Sequence, residues 1–135
     1  MKILEIPKTE KTPEIILDDE GFLQIKGKCL PENIRDFSGQ VIEKLEMYLD
    51  TLRPDPDREN DSGAFRIYFK LGYFNSAAAK FIADVLLVVD DYLQKGLGIK
   101  VFWYFDEDDT DMLEAGQDIS KMVNVPMEYV TVRNK

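Results

Sequence analysis

The segment Leu71-Gly72-Tyr73-Phe74-Asn75-Ser76-Ala77-Ala78-Ala79-Lys80 sets a single hydroxyl, that of Ser76, between the end of a β-favouring run and the start of a run of strong helix formers. A side chain in the first turn of a helix sits where unpaired backbone N–H groups and the positive end of the helix dipole converge. That environment holds phosphate well, so Ser76 reads as a phosphoacceptor. Asn and Ser are also preferred N-caps, and capping is the plainer role for the same residues. Lys80, one turn further on, can pair with a phosphate or simply solvate its helix.

The acidic run Asp106-Glu107-Asp108-Asp109-Thr110-Asp111 carries oxygen ligands of the kind Mg²⁺ takes. The simpler reading is that these carboxylates cap a helix and complement its dipole, and no metal or cofactor is expected. The run also suits a docking face, because parallel strands ending at Asn75 and Asp106 would bring both turns to one end of a sheet. The expected partner-binding residues are Tyr73, Phe74, Asn75, Lys80, Asp108 and Asp109. Trp103 and Tyr104 lie in the most apolar stretch and are read as core.

What is missing limits the chemistry further. The chain has no histidine and one cysteine, Cys29, so neither a Ser-His-Asp triad nor a Cys-His pair can be assembled. The commonest general base and the usual zinc ligand are absent too. No catalytic residues are assigned, and Cys29 is expected to be a small, half-buried residue at a strand end. A net charge of −9 argues against nucleic acid and anionic membranes as partners and favours a protein with basic patches. At 135 residues with 44% apolar and 32% charged side chains, the chain reads as one domain over residues 1–135, able to bury a core. The first residues are too short and too mixed in charge for a secretory signal, so the expected location is the cytoplasm.

The elements that must position Ser76 follow from periodicity. Glu14 to Asp18 and Phe22 to Lys28 read as strands joined by Asp19-Glu20-Gly21. From Pro31 to Leu52 the residues Ile34, Phe37, Val41, Leu45, Tyr48 (or Leu49) and Leu52 recur at helical spacing, with Pro31-Glu32-Asn33 as the entry and Asn33 as a candidate cap. The proline-containing, polar stretch Arg53 to Ser62 is expected to be a mobile surface loop. Gly63 to Tyr73 alternates as a strand. Ser76 to Lys95 is a helix with a broad buried surface. Ile99 to Phe105 is so apolar that a central strand covered on both faces is expected. A helix opening in the acidic run and ending near Val123 precedes a last strand, Met127 to Val132. The order β-β-α-β-α-β-α-β predicts an α/β fold, a mixed sheet with helices packed on it.

This order, with a switchable hydroxyl at the turn after the third strand, resembles the STAS (sulfate-transporter and anti-sigma-antagonist) fold, in which a Ser or Thr at that turn accepts phosphate and thereby selects the partner. A closer resemblance runs through Thr12-Pro13-Glu14-Ile15, Ile25-Lys26-Gly27, Pro31-Glu32-Asn33, Tyr73-Phe74-Asn75-Ser76, Trp103-Tyr104, Glu107-Asp108-Asp109 and Asp111-Met112-Leu113-Glu114-Ala115-Gly116. Together and in this order they resemble the SiaC family of regulatory phosphoproteins. The resemblance implies a non-enzymatic signalling protein phosphorylated by a SiaB-like kinase and dephosphorylated by a PP2C-like phosphatase. Unmodified, it would bind and activate a GGDEF diguanylate cyclase, raising cyclic di-GMP and affecting biofilm formation. The family's acceptor directly follows Phe-Asn, which is Ser76 in this chain, while Ala77, Ala78 and Ala79 replace the hydroxyls that often follow it.

A phosphoryl group adds about −1.5 to −2 charges, which the helix N-terminus would partly compensate while a packed partner would be expelled. Two other classes stand beside this reading. A STAS-like sensor would bind an apolar or nucleotide ligand between sheet and helices. A small metal-dependent hydrolase would have to use Asp108 or Asp109.

Overall fold

Side-chain alternation along two neighbouring strands decides the architecture. In Phe22–Cys29 the residues Leu23 and Ile25 are buried and Gln24 and Lys26 are not; in Phe65–Phe74 the buried set is Phe65, Ile67, Phe69 and Leu71. Each strand therefore turns one face to a core and the other outward. The structure, a computed structural model, describes residues 1–30, 34–53 and 64–133. Its elements are β1 (Lys2–Ile6), β2 (Glu14–Asp18), β3 (Phe22–Cys29), α1 (Ile34–Leu49), β4 (Phe65–Phe74), α2 (Ser76–Gln94), β5 (Ile99–Asp106), α3 (Thr110–Val123) and β6 (Glu128–Val132).

The strands form one six-stranded sheet in the order β1-β2-β3-β4-β5-β6. The β1-β2-β3 pairs are antiparallel and the β3-β4-β5-β6 pairs are parallel. The expected mixed α/β sheet is thus present, with one further strand, β1, added at its edge. Lys2–Ile6 alternates too weakly among charged residues to announce itself, and pairing with β2 is what makes it a strand.

Three parallel crossovers advance in one direction across the sheet, and the usual right-handed connection sets their helices on one face. Consistently, α1 contacts α2 and α2 contacts α3. The core lies between these helices and the sheet and includes Ile15, Leu23, Ile25, Leu45, Phe69, Phe81, Leu86 and Trp103. α2 is the most deeply set helix, with Ala78, Phe81, Ile82, Ala83, Val85, Leu86, Val89 and Tyr92 buried. Its far end is tied to α1 by Tyr92, whose hydroxyl donates to Glu46 O at 3.3 Å and to the Asp50 carboxylate.

One consequence corrects the reading of β5. It is not covered on both faces: Val101 and Trp103 are buried under helices, but Phe102 and Tyr104 lie half-exposed on the open face. Tyr104 is therefore not core in the sense that Trp103 is. The apolar run exists because the open face is an aromatic row: Phe22 meets Tyr68 edge-on at 6.4 Å, Tyr68 stacks on Phe102 at 5.3 Å and lies 6.3 Å from Tyr104. The Pro31-Glu32-Asn33 entry and residues 54–62 of the polar stretch lie outside the described residues. Among the described residues, no helix is long and apolar enough to cross a membrane.

Candidate functional site

The turn carrying Ser76 is shaped by a β-bulge two strands from the edge. The β3-β4 register pairs Gly27 with Leu71 but Lys28 with Tyr73, so Gly72 is an extra residue in β4. Gly27 sits at φ +122, a conformation that favours glycine, as bulges often require. Without the bulge, the alternation of Phe69 and Leu71 would continue inward at Tyr73. With it, Tyr73 turns out, 58% exposed, and Phe74 turns in against Trp103, ring centres 6.0 Å apart and nearly perpendicular. The strand thus delivers an exposed tyrosine and a fixed phenylalanine immediately before the helix.

Asn75 caps α2. Its backbone is extended and its side chain accepts the Ala78 amide at 2.9 Å, while its carbonyl accepts Ala79 N at 3.0 Å. Its own amide reaches back to Cys29 O at 3.4 Å, tying the turn to the end of β3. Ser76 is the first helical residue and is exposed, and its hydroxyl makes no hydrogen bond among the described residues. The capping role that its type allows is taken by its neighbour.

The acidic run is divided between two elements. Asp106 ends β5, and Asp109 caps α3, its carboxylate accepting Met112 N at 3.0 Å and its amide donating to Asp106 O at 2.9 Å. Asp108 is exposed and Asp111 lies in the first turn of α3. α3 is held to β5 by Trp103, which is fully buried and donates its indole N–H to Met112 O at 3.0 Å.

The two turns come to the same end of the sheet. Pairing of β4 with β5 ends at Phe69 and Trp103; beyond it β4 continues beside β3, and β5 beside β6. A cleft of about 430 Å³ opens between the separated ends, walled by Lys70, Leu71 and Gly72 on one side and Tyr104, Phe105 and Asp106 on the other. Asp109 and Met112 of α3 contribute to its lining. Asp109 is therefore brought near the end of β4, whereas Tyr73, Phe74, Asn75 and Ser76 do not line this cleft. Lys80 is on a different side: with Arg35 and Ser38 of α1, and with Phe81 and Asp84, it borders a shallow depression between α1 and α2.

Lys80 is largely exposed and its ammonium lies 3.3 Å from Asp84 in the next turn. Such a surface pair is weak and easily exchanged for another anion. Arg35 was not singled out by sequence, since it sits on α1 and only the α1-α2 packing brings it beside Lys80. Cys29 is at a strand end, as expected, but fully rather than half-buried, and burial pushes its thiol up to about 11. It is a core residue with no nucleophilic character near neutral pH. Among the described residues, no group of three or more acidic or cysteine side chains converges to hold a metal ion.

A six-stranded mixed sheet with its three helices on one face is a STAS-like α/β fold, and it displays an uncommitted hydroxyl at the start of its central helix. A sequence model described as the SiaC family of regulatory phosphoproteins matches residues 6–132, and the chain belongs to that family, one of regulatory proteins rather than enzymes. An uncharacterised protein of Pseudomonas aeruginosa (strain UCBPP-PA14) is 28% identical over 128 residues, covering 93% of this chain and 94% of its own. The crystal structure of apo-SiaC from Pseudomonas aeruginosa superposes with a TM-score of 0.79 at 25% identity, over 97% of this chain and 98% of that one. A chain of the crystal structure of the diguanylate cyclase SiaD in complex with its activator SiaC, from the same organism, gives a TM-score of 0.78 at 23% identity, over 97% and 99%.

Proposed function

We propose that this chain is a cytoplasmic, single-domain partner switch in which Ser76 is the phosphorylated residue, and that its unphosphorylated form binds and activates a GGDEF diguanylate cyclase. A SiaB-like kinase adds the phosphate and a PP2C-like phosphatase removes it. The observation that carries this reading is the division of labour at the α2 N-terminus: Asn75 makes the cap, and Ser76 is left exposed with its hydroxyl uncommitted. Family membership and the complex of the related SiaC with the cyclase SiaD support the choice of partner.

The physical mechanism is local. A phosphate on Ser76 lies beside the N–H groups heading α2, whose dipole favours the negative charge, so the fold tolerates it. Tyr73, Phe74 and Asn75 lead directly into Ser76, Lys80 lies one turn further along α2, and Asp108 and Asp109 belong to the turn at the same end of the sheet. A partner packed on this surface would have to desolvate a dianion beside the exposed Tyr73 ring, and the complex would dissociate. Intact-mass analysis after incubation with the SiaB-like kinase and Mg-ATP tests the assignment: one added phosphate on the wild type and none on Ser76→Ala is expected. Equal phosphate on both proteins, or none on either, would remove Ser76 from the mechanism.

A further inference from the structure

The cleft between the ends of β4 and β5 is independent of Ser76 and has features that a loosely packed sheet end would not need. Lys26 and Lys70 are directly opposite one another in the β3-β4 register, on the open face and on the wall of the cleft. Like charges directly opposite across a sheet repel, and this pair occurs in a chain of net charge −9. Lys70 is also held in place: its ammonium donates to Gln24 Oε1 at 3.1 Å and lies 5.4 and 5.0 Å from the Tyr68 and Tyr104 ring centres. Glu14 stands opposite Lys26 in the β2-β3 register, but its carboxylate accepts from Gln24 Nε2 at 3.2 Å, and no ion pair joins it to Lys26 among the described residues.

The remaining lining is mostly apolar, from Leu71, Tyr104, Phe105, Met112 and Val132. Of the carboxylates in the lining, Asp109 is committed to its cap, and Asp106, two residues after Tyr104, shares the open face with the two lysines, which outnumber it. The cleft thus sets two lysines, the Tyr104 ring and one carboxylate at the open face, above a floor formed by Leu71, Phe105 and Met112. Its volume falls in the range of small-molecule sites.

We infer that this cleft binds a small amphipathic organic anion, a carboxylate or phosphate monoester carried on a compact apolar body, with Lys26 and Lys70 holding the head and Leu71, Tyr104 and Met112 enclosing the body. Gly72 offers a clean way to close it. Gly72 lines the cleft, and a Cβ there would meet nothing within 4 Å, so this wall accepts a larger side chain without a clash.

The test is an NMR titration of the full chain with benzoate and with phenyl phosphate, using benzyl alcohol as the uncharged control. The expected result is saturable shifts of amides in Lys70–Gly72 and Tyr104–Asp106, with benzyl alcohol binding at least about tenfold more weakly. Lys70→Gln should weaken both anions by a similar factor, and Gly72→Leu should abolish binding while the protein melts as the wild type does. Absence of saturable shifts with either anion, equal binding of the alcohol, or undiminished binding to a folded Gly72→Leu variant would overturn the proposal. Because the titration involves neither kinase nor cyclase, its failure would leave the Ser76 assignment standing, and failure of that assignment would leave the cleft.

Discussion

Asn75 Oδ1 accepts the Ala78 amide at 2.9 Å, so the first turn of α2 is capped one residue before Ser76. Stability and switching are thereby assigned to adjacent side chains. Asn75→Ala should lower stability by about 1 kcal/mol, the usual worth of a cap, whereas Ser76→Ala should change it by no more than ~0.5 kcal/mol. Urea denaturation of the two variants checks this, and a larger loss for Ser76→Ala would make the hydroxyl structural.

Gly116 lies against the indole that locks α3 to β5. A Cβ at that position would come 2.6 Å from Trp103 Nε1, an atom already fixed by its bond to Met112 O. Gly to Ala in a helix ordinarily gains up to about 1 kcal/mol, but overpacking a close-packed interior costs about 1–3 kcal/mol. Gly116→Ala should therefore be destabilising on balance, and Gly116→Val more so, both read as lower melting temperatures. An unchanged or raised melting temperature for Gly116→Val would show that the indole can move aside.

Alkaline pH should weaken the fold through Cys29. Burial raises its thiol from 9.0 to about 11, so between those values the folded chain keeps a proton that the unfolded chain has lost. Its contribution is complete below about pH 9 and is lost as pH rises toward 11, at up to ~1.4 kcal/mol per pH unit. Tyr92, pushed up to about 12 by burial and by Asp50, adds to the loss at still higher pH. Urea midpoints at about pH 8 and about pH 10 should fall more steeply for the wild type than for Cys29→Ala; equal slopes would contradict the assignment.

Residues whose environment is local were legible in the sequence, and residues whose environment depends on strand neighbours were not. The helices carrying Phe81 and Met112, and the strand carrying Phe69, follow from periodicity alone. Tyr104 was misplaced because an apolar run looks the same whether a helix or an aromatic row covers its second face; strand order decides which. The bulge at Gly72, which turns Tyr73 outward, leaves no signature beyond a glycine near a strand end. Lys26 and Lys70 became a pair only through the β3-β4 register, and Arg35 and Lys80 came to border one depression only through packing of α1 on α2. That carboxylates of the acidic run cap α3 was legible, because a helix's first turn is specified by its own residues; the structure gives that role to Asp109.

Charge at residue 76 should act on binding rather than on folding. Ser76→Asp places one negative charge at the start of α2, where the dipole favours it, so its melting temperature should match or slightly exceed that of Ser76→Ala. Its affinity for the cyclase should fall by at least about tenfold, while Ser76→Ala binds as the unmodified protein does. Calorimetric titration separates these effects, and equal affinity of the two variants would argue against electrostatic expulsion.

The most direct test is to measure cyclic di-GMP production by the cognate GGDEF cyclase with the unmodified protein, with the protein stoichiometrically phosphorylated at Ser76, and with the latter after PP2C-like phosphatase treatment. Activation by the first, none by the second and restoration by the third is the predicted result. Equal activation by all three preparations would contradict the account at its centre.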